Sequence, residues 1–113
     1  MPTAFHNRSF KRFLIHCHVD FLSPSYVGKG TVLNISKAGL RVSSTQVVEA
    51  GTKLALRLFV PGLDNPINID RAVVRWAFGP EFGLQTLRLQ IEQEARLERW
   101  IRIRARGLPV PLS

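Results

Sequence analysis

Cysteine is almost missing from this chain. Cys17 is the only one in 113 residues, which excludes an intrachain disulfide and suits a reducing compartment. Long apolar runs are missing as well: no stretch approaches the roughly 20 residues that cross a bilayer as a helix. The first residues lack the charged-then-apolar order of a secretory signal, so the cytoplasm is the expected location. Acids are scarce, with 8 Asp+Glu against 16 Lys+Arg and a formal net charge of +8. That imbalance favours anionic partners: a nucleotide, a nucleic acid, an acidic protein or an anionic lipid surface. Lysine is scarce in turn, 4 against 12 arginines, and arginine favours planar, bidentate recognition over simple solubilisation.

The signatures of catalysis are missing too. No nucleophile elbow, phosphate loop, HExxH or paired-carboxylate arrangement is present, so no enzyme is expected and no catalytic residue is assigned. His16, Cys17 and His18 invite a zinc site. On a strand, however, the cysteine points away from both histidines, and His6 is the only further histidine. A closed tetrahedral site is poorly supplied, no metal is expected, and Cys17 reads as a small buried hydrophobe.

What is present is a sequence for one small β domain. Hydrophobic residues make up 45% of the chain, and 113 residues suffice for one core but not two. Residues 1–11 read as an irregular arm, because Pro2, Asn7 and Ser9 discourage regular structure and no apolar period is visible. From residue 12 the pattern alternates, with Ile15, Cys17, Val19 and Phe21 on one face and Leu14, His16, His18 and Asp20 on the other. Further strands are expected over 30–34, 39–43, 52–60, 67–78 and 82–89, the fifth bulged around Asp70 or Arg71. Six short strands punctuated by Gly and Pro predict an antiparallel barrel spanning 12–89, a closure that removes exposed edges. The last segment, 90–106, is rich in helix formers with acids early and arginines late. Ile91, Leu97, Trp100, Ile101 and Arg104 approximate its helical stripe. The expected architecture is therefore all-β with a C-terminal helix, a single domain over 1–113.

Two clusters carry the chemistry. Arg8 and Arg12 stand four residues apart, and a fork of arginines matches phosphate oxygens and the O6/N7 edge of guanine. Asn34 and Ser36, at i and i+2 and followed by Gly39, place an amide and a hydroxyl where a strand meets its connection. Asn and Ser also bond local backbone, and Gly permits positive φ, so a turn is the competing reading of this cluster. Trp76 on the fifth strand offers an indole on which a purine could stack, alongside a simple packing role.

In order and spacing these clusters resemble the RxxxR and [D/N]xSxxG motifs of PilZ domains, bacterial receptors for the second messenger cyclic di-GMP. The resemblance runs from Arg8 to the helix ending near Arg104. It implies a six-stranded barrel with a C-terminal helix, in agreement with the periodicity. It also implies a cyclic di-GMP site made by Arg8, Arg12, Asn34, Ser36 and Gly39, with Trp76 beside them and no other cofactor. Position 34 is Asn where Asp is the commoner family residue, so the acceptor is kept, the charge is lost and the bond should weaken. Asn7 sits where PilZ domains differ in holding one ligand or a stacked pair, and the sequence leaves both open.

The implied mechanism is ordering of the arm on ligand binding, read by a separate protein partner that controls motility, exopolysaccharide or biofilm. Two alternatives remain: a PilZ-like interaction scaffold that binds no ligand, and a small basic β-barrel that binds nucleic acid. The nucleic-acid reading is the weaker, because the interleaved exposed aromatics of a single-strand platform are missing. Arg96, Arg99, Arg102 and Arg106 recur at helical spacing, as either a solvated face or a docking stripe for an acidic partner.

Overall fold

A computed structural model describes residues 13–25 and 27–105. Six antiparallel strands run in the chain as β1 (Phe13–Leu22), β2 (Val27–Ile35), β3 (Gly39–Ser43), β4 (Lys53–Phe59), β5 (Ile67–Phe78) and β6 (Glu81–Arg88). They close into a barrel in the order β1-β2-β3-β6-β5-β4, with β4 returning to β1. One helix, α1 (Ile91–Ala105), follows. The expected fold is the observed one.

Alternation builds the core. Ile15, Cys17, Val19 and Phe21 of β1 point inward while Leu14 is exposed, and β4 repeats the pattern with Leu54, Leu56 and Leu58. Phe21 meets Phe82 edge to face across the barrel, ring centroids 5.5 Å apart at 84°. Burial pushes the Cys17 thiol up to about 11, so at neutral pH it is a protonated, inert core group, as the alternation predicts.

β2 starts at Val27, three residues before the expected start. The segment ending at Gly28 reads as a turn in the sequence, yet Gly28 pairs with β1 opposite Phe21, as Gly30 does opposite Val19. A Cβ on Gly28 would lie 2.1 Å from the Phe21 ring, so the missing side chain makes room for a fully buried aromatic. The bulge expected in β5 is present. Between Ile69 and Ala72 that strand carries one residue more than β4 does between Leu56 and Leu54.

Helix α1 lies against the barrel through Leu97 and Trp100, both 2% exposed, with Ile101 partly buried beside them. The expected stripe fails at its start: Ile91 is exposed, because the helix begins there and meets the barrel only a turn later. Polar contacts fix the seat. The Trp100 Nε1–H donates to the Pro61 carbonyl at 3.0 Å, and Arg96 donates to the carbonyls of Pro66, at 2.8 Å, and Asn65. Arg104 lies over the Trp100 ring at 5.3 Å and donates to the Leu14 carbonyl. Arg96 is thus an anchor for the loop before β5, whereas Arg99 and Arg102 are exposed and Arg106 lies outside the described residues. No described helix is long and apolar enough to cross a membrane.

Candidate functional site

The site is a line of residues that the strand register draws across four neighbouring strands. Asn34 of β2 pairs with Arg41 of β3. Arg41 pairs with Gly83 of β6, and Gly83 pairs on its other side with Trp76 of β5. All four line one open groove of about 510 Å³, together with Arg75 and Gln85. Gly83 is its floor. A Cβ there would lie 2.1 Å from the Trp76 Nε1, so the pyrrole side of the indole covers the glycine while Trp76 stays 43% exposed.

A bulge puts Arg75 and Trp76 in the same groove. Val74 pairs with Leu84 and Trp76 with Gly83, which leaves Arg75 as the extra residue between them. Strict alternation would send these two side chains to opposite faces, one of them into the core. Instead both are exposed, and the Arg75 Nε–H donates to Gln85 Oε1 across the strand pair. Arg41 donates from Nε to Glu81 at 2.9 Å on the groove rim.

Ser36 and Gly39 are buried and are not among the residues that line this groove. Ser36 is 2% exposed, and its hydroxyl accepts from the N–H groups of Ala38 (3.2 Å) and Gly39 (3.3 Å). Its own N–H donates to the Gly39 carbonyl at 2.8 Å. Ser36 thus closes the turn between β2 and β3. Gly39 is required, but not for positive φ, which occurs at Gly51, Gly62 and Gly79. It begins β3 opposite Gln85, and a Cβ there would lie 2.1 Å from the Leu84 carbonyl oxygen. A close approach of two backbones, rather than a turn conformation, demands the glycine.

The turn so built carries Lys37, which pairs with Glu98 of α1 at 2.7 Å, so the motif loop is tied to the helix. The hydrogen bond from Lys37 holds the Glu98 carboxyl below the usual carboxylate range. Arg8 and Arg12 lie outside the described residues. Of the six residues expected at the site, the structure therefore brings Asn34 and Trp76 together in the groove and buries Ser36 and Gly39 outside its lining. Arg41, Arg75 and Gln85 went unpicked. Their signal was only that of exposed polar positions beside buried ones, and the pairing register is what joins them to Asn34 and Trp76. Among the described residues, no group of three or more His, Cys, Asp or Glu could hold a metal ion.

The described residues thus form a closed six-stranded antiparallel barrel with a C-terminal helix, bearing an open groove lined by an indole and guanidiniums. The PilZ domain profile matches residues 6–102, and the chain belongs to the PilZ domain family. PilZ domains are receptor and adaptor domains, not enzymes. Among solved structures, the Bacillus subtilis inhibitor of motility MotI/DgrA is similar at 20% identity and TM-score 0.73, over 88% of this chain and 51% of that one. This chain thus spans about half the length of that protein. The PilZ domain of CeSA from a cellulose-synthesizing bacterium is similar at 16% identity and TM-score 0.63, over 79% and 92% of the two chains. An uncharacterized Legionella protein is similar at 14% identity and TM-score 0.54, over 86% and 97%. At these identities the likeness is one of fold. No curated protein matches the sequence.

Proposed function

We propose that this chain is a cyclic di-GMP receptor that passes its signal to a separate protein by contact. The observation that carries the reading is the line Asn34–Arg41–Gly83–Trp76, which gathers an amide, a guanidinium and a stacking indole in one groove over a side-chain-free floor. A guanine can stack on Trp76 while its polar edges meet the amide and guanidinium, and a net charge of +8 favours a ligand with two phosphates. The arm that holds Arg8 and Arg12 leads in sequence into β1, whose Leu14 pairs with Asn34. In this reading both arginines grip phosphates and guanine edges, and ordering of the arm is the signal. The similar MotI/DgrA is an inhibitor of motility, and a partner governing motility, exopolysaccharide or biofilm suits an adaptor of this kind.

Indole fluorescence tests the stacking directly. The chain has two tryptophans, and Trp100 is 2% exposed between helix and barrel, so Trp76 is the responsive one. Cyclic di-GMP is expected to quench the emission saturably in the wild type and to leave Trp76→Phe unchanged in emission. Trp76→Ala should bind more weakly by roughly 1–3 kcal/mol, the worth of one base–aromatic stack. Equal quenching of wild type and Trp76→Phe would remove the indole from the site.

A further inference from the structure

We propose that Arg41, which the family motifs do not include, reads the guanine edge of the base stacked on Trp76. The inference rests on the cyclic di-GMP reading of the groove and adds the residue that selects its base. Arg41 and Trp76 are the two cross-strand neighbours of Gly83, on opposite sides of it. Their backbones therefore stand about two strand spacings apart, roughly 9.6 Å, with only a glycine between them. A base lying on the outer face of the indole extends over Gly83 toward β3, where an arginine side chain can meet its edge in plane.

The guanidinium is already set for this. Its Nε–H is taken by Glu81 at 2.9 Å, which leaves the N–H donors of the two terminal nitrogens for a ligand in the groove that Arg41 lines. The side chain is 44% exposed, and it lines the same groove as Asn34 and Trp76. Two parallel N–H donors match the O6 and N7 acceptors of guanine. Adenine presents an amino donor where guanine has O6, so the same fork opposes it. Glu81 acts as a positioning residue: it fixes which edge of the fork is turned to the ligand.

Arg41 also bears on the asparagine at position 34. The two are direct cross-strand partners, with side chains close enough to interact. An aspartate there would place a carboxylate opposite Arg41 and compete with the base for the guanidinium. With Asn34, that charge stays available to the ligand.

The test is calorimetric titration of wild type, Arg41→Ala and Arg41→Lys with cyclic di-GMP and cyclic di-AMP, with folding checked by circular dichroism. The exposed Arg41–Glu81 pair contributes little to stability, so the variants are expected to fold. Arg41→Ala should weaken cyclic di-GMP binding by roughly tenfold to a hundredfold. It should also shrink the preference over cyclic di-AMP by at least about fivefold. Arg41→Lys, which keeps the charge but loses the fork, should lose that preference while retaining more affinity than Arg41→Ala. Equal weakening toward both dinucleotides would mean that Arg41 grips phosphate, and would overturn the base-reading role. Wild-type binding that Arg41→Ala leaves unchanged would overturn the inference alone. Absence of wild-type binding would overturn the receptor reading, and the inference with it.

Discussion

Gly39→Ala is expected to destabilise the barrel by about 3 kcal/mol or more, a large share of the roughly 5–15 kcal/mol that holds a domain of this size. The added Cβ would lie 2.1 Å from the Leu84 carbonyl oxygen, and neither group can yield. Both belong to backbones in the β3–β6 ladder, and moving one breaks one of the two pairings, β3–β6 and β1–β4, that join the halves of the closed barrel. The melting temperature should fall by on the order of 10 °C or more. Gly83→Ala is the instructive control. Its Cβ would also meet an atom at 2.1 Å, but that atom is the Trp76 Nε1, in a half-exposed side chain that can swing aside. That variant should keep most of its stability and lose indole quenching by the ligand, because the groove floor is filled and the stacking surface displaced. Thermal denaturation by circular dichroism separates the two: equal melting temperatures for Gly39→Ala and wild type would contradict the backbone clash.

The second large effect concerns the arm. Arg8→Ala/Arg12→Ala should leave the barrel folded, since the core is made by strands that begin at Phe13 and by α1. It should weaken cyclic di-GMP binding at least a hundredfold, because two charge-assisted contacts are lost at about 1.5–3 kcal/mol each. Adding salt should reduce wild-type affinity much more than that of the double variant, since the arginines supply charge that salt screens. Titration calorimetry at two ionic strengths checks both statements. Retained affinity in the double variant would assign the resemblance of RxxxR to chance.

How far the sequence reaches is clear from particular residues. β1 was legible because a barrel wall has one wet and one dry face, and Ile15, Cys17, Val19 and Phe21 alternate accordingly. The bulge near Asp70 was legible for the same reason, as a break in an otherwise regular apolar-basic strand. The start of β2 was not, because Gly28 looks like a turn until the Phe21 ring it accommodates is seen. Helical period places the exposed Ile91 in the core stripe of α1, because period alone does not say where a helix first meets its neighbour. At the site, Asn34 and Trp76 were found through family resemblance and base chemistry, and they share the groove. Gly39 was found too, but its reason is the approach of two strands distant in sequence, which no local pattern contains. The place of Arg41 in the groove is hidden from local pattern for a related reason. Arg41 is one exposed arginine among twelve, and only long-range register sets it between Asn34 and Gly83.

Whether the groove is a cyclic di-GMP site is decided by isothermal titration of the wild type with cyclic di-GMP, with GTP as control. Saturable binding is expected, micromolar or tighter, with no comparable heat from GTP. The stoichiometry would show whether one ligand or a stacked pair is held. No heat at high ligand concentration, and no displacement of any nucleotide by cyclic di-GMP, would contradict the receptor reading and leave a PilZ barrel that works through protein contacts alone.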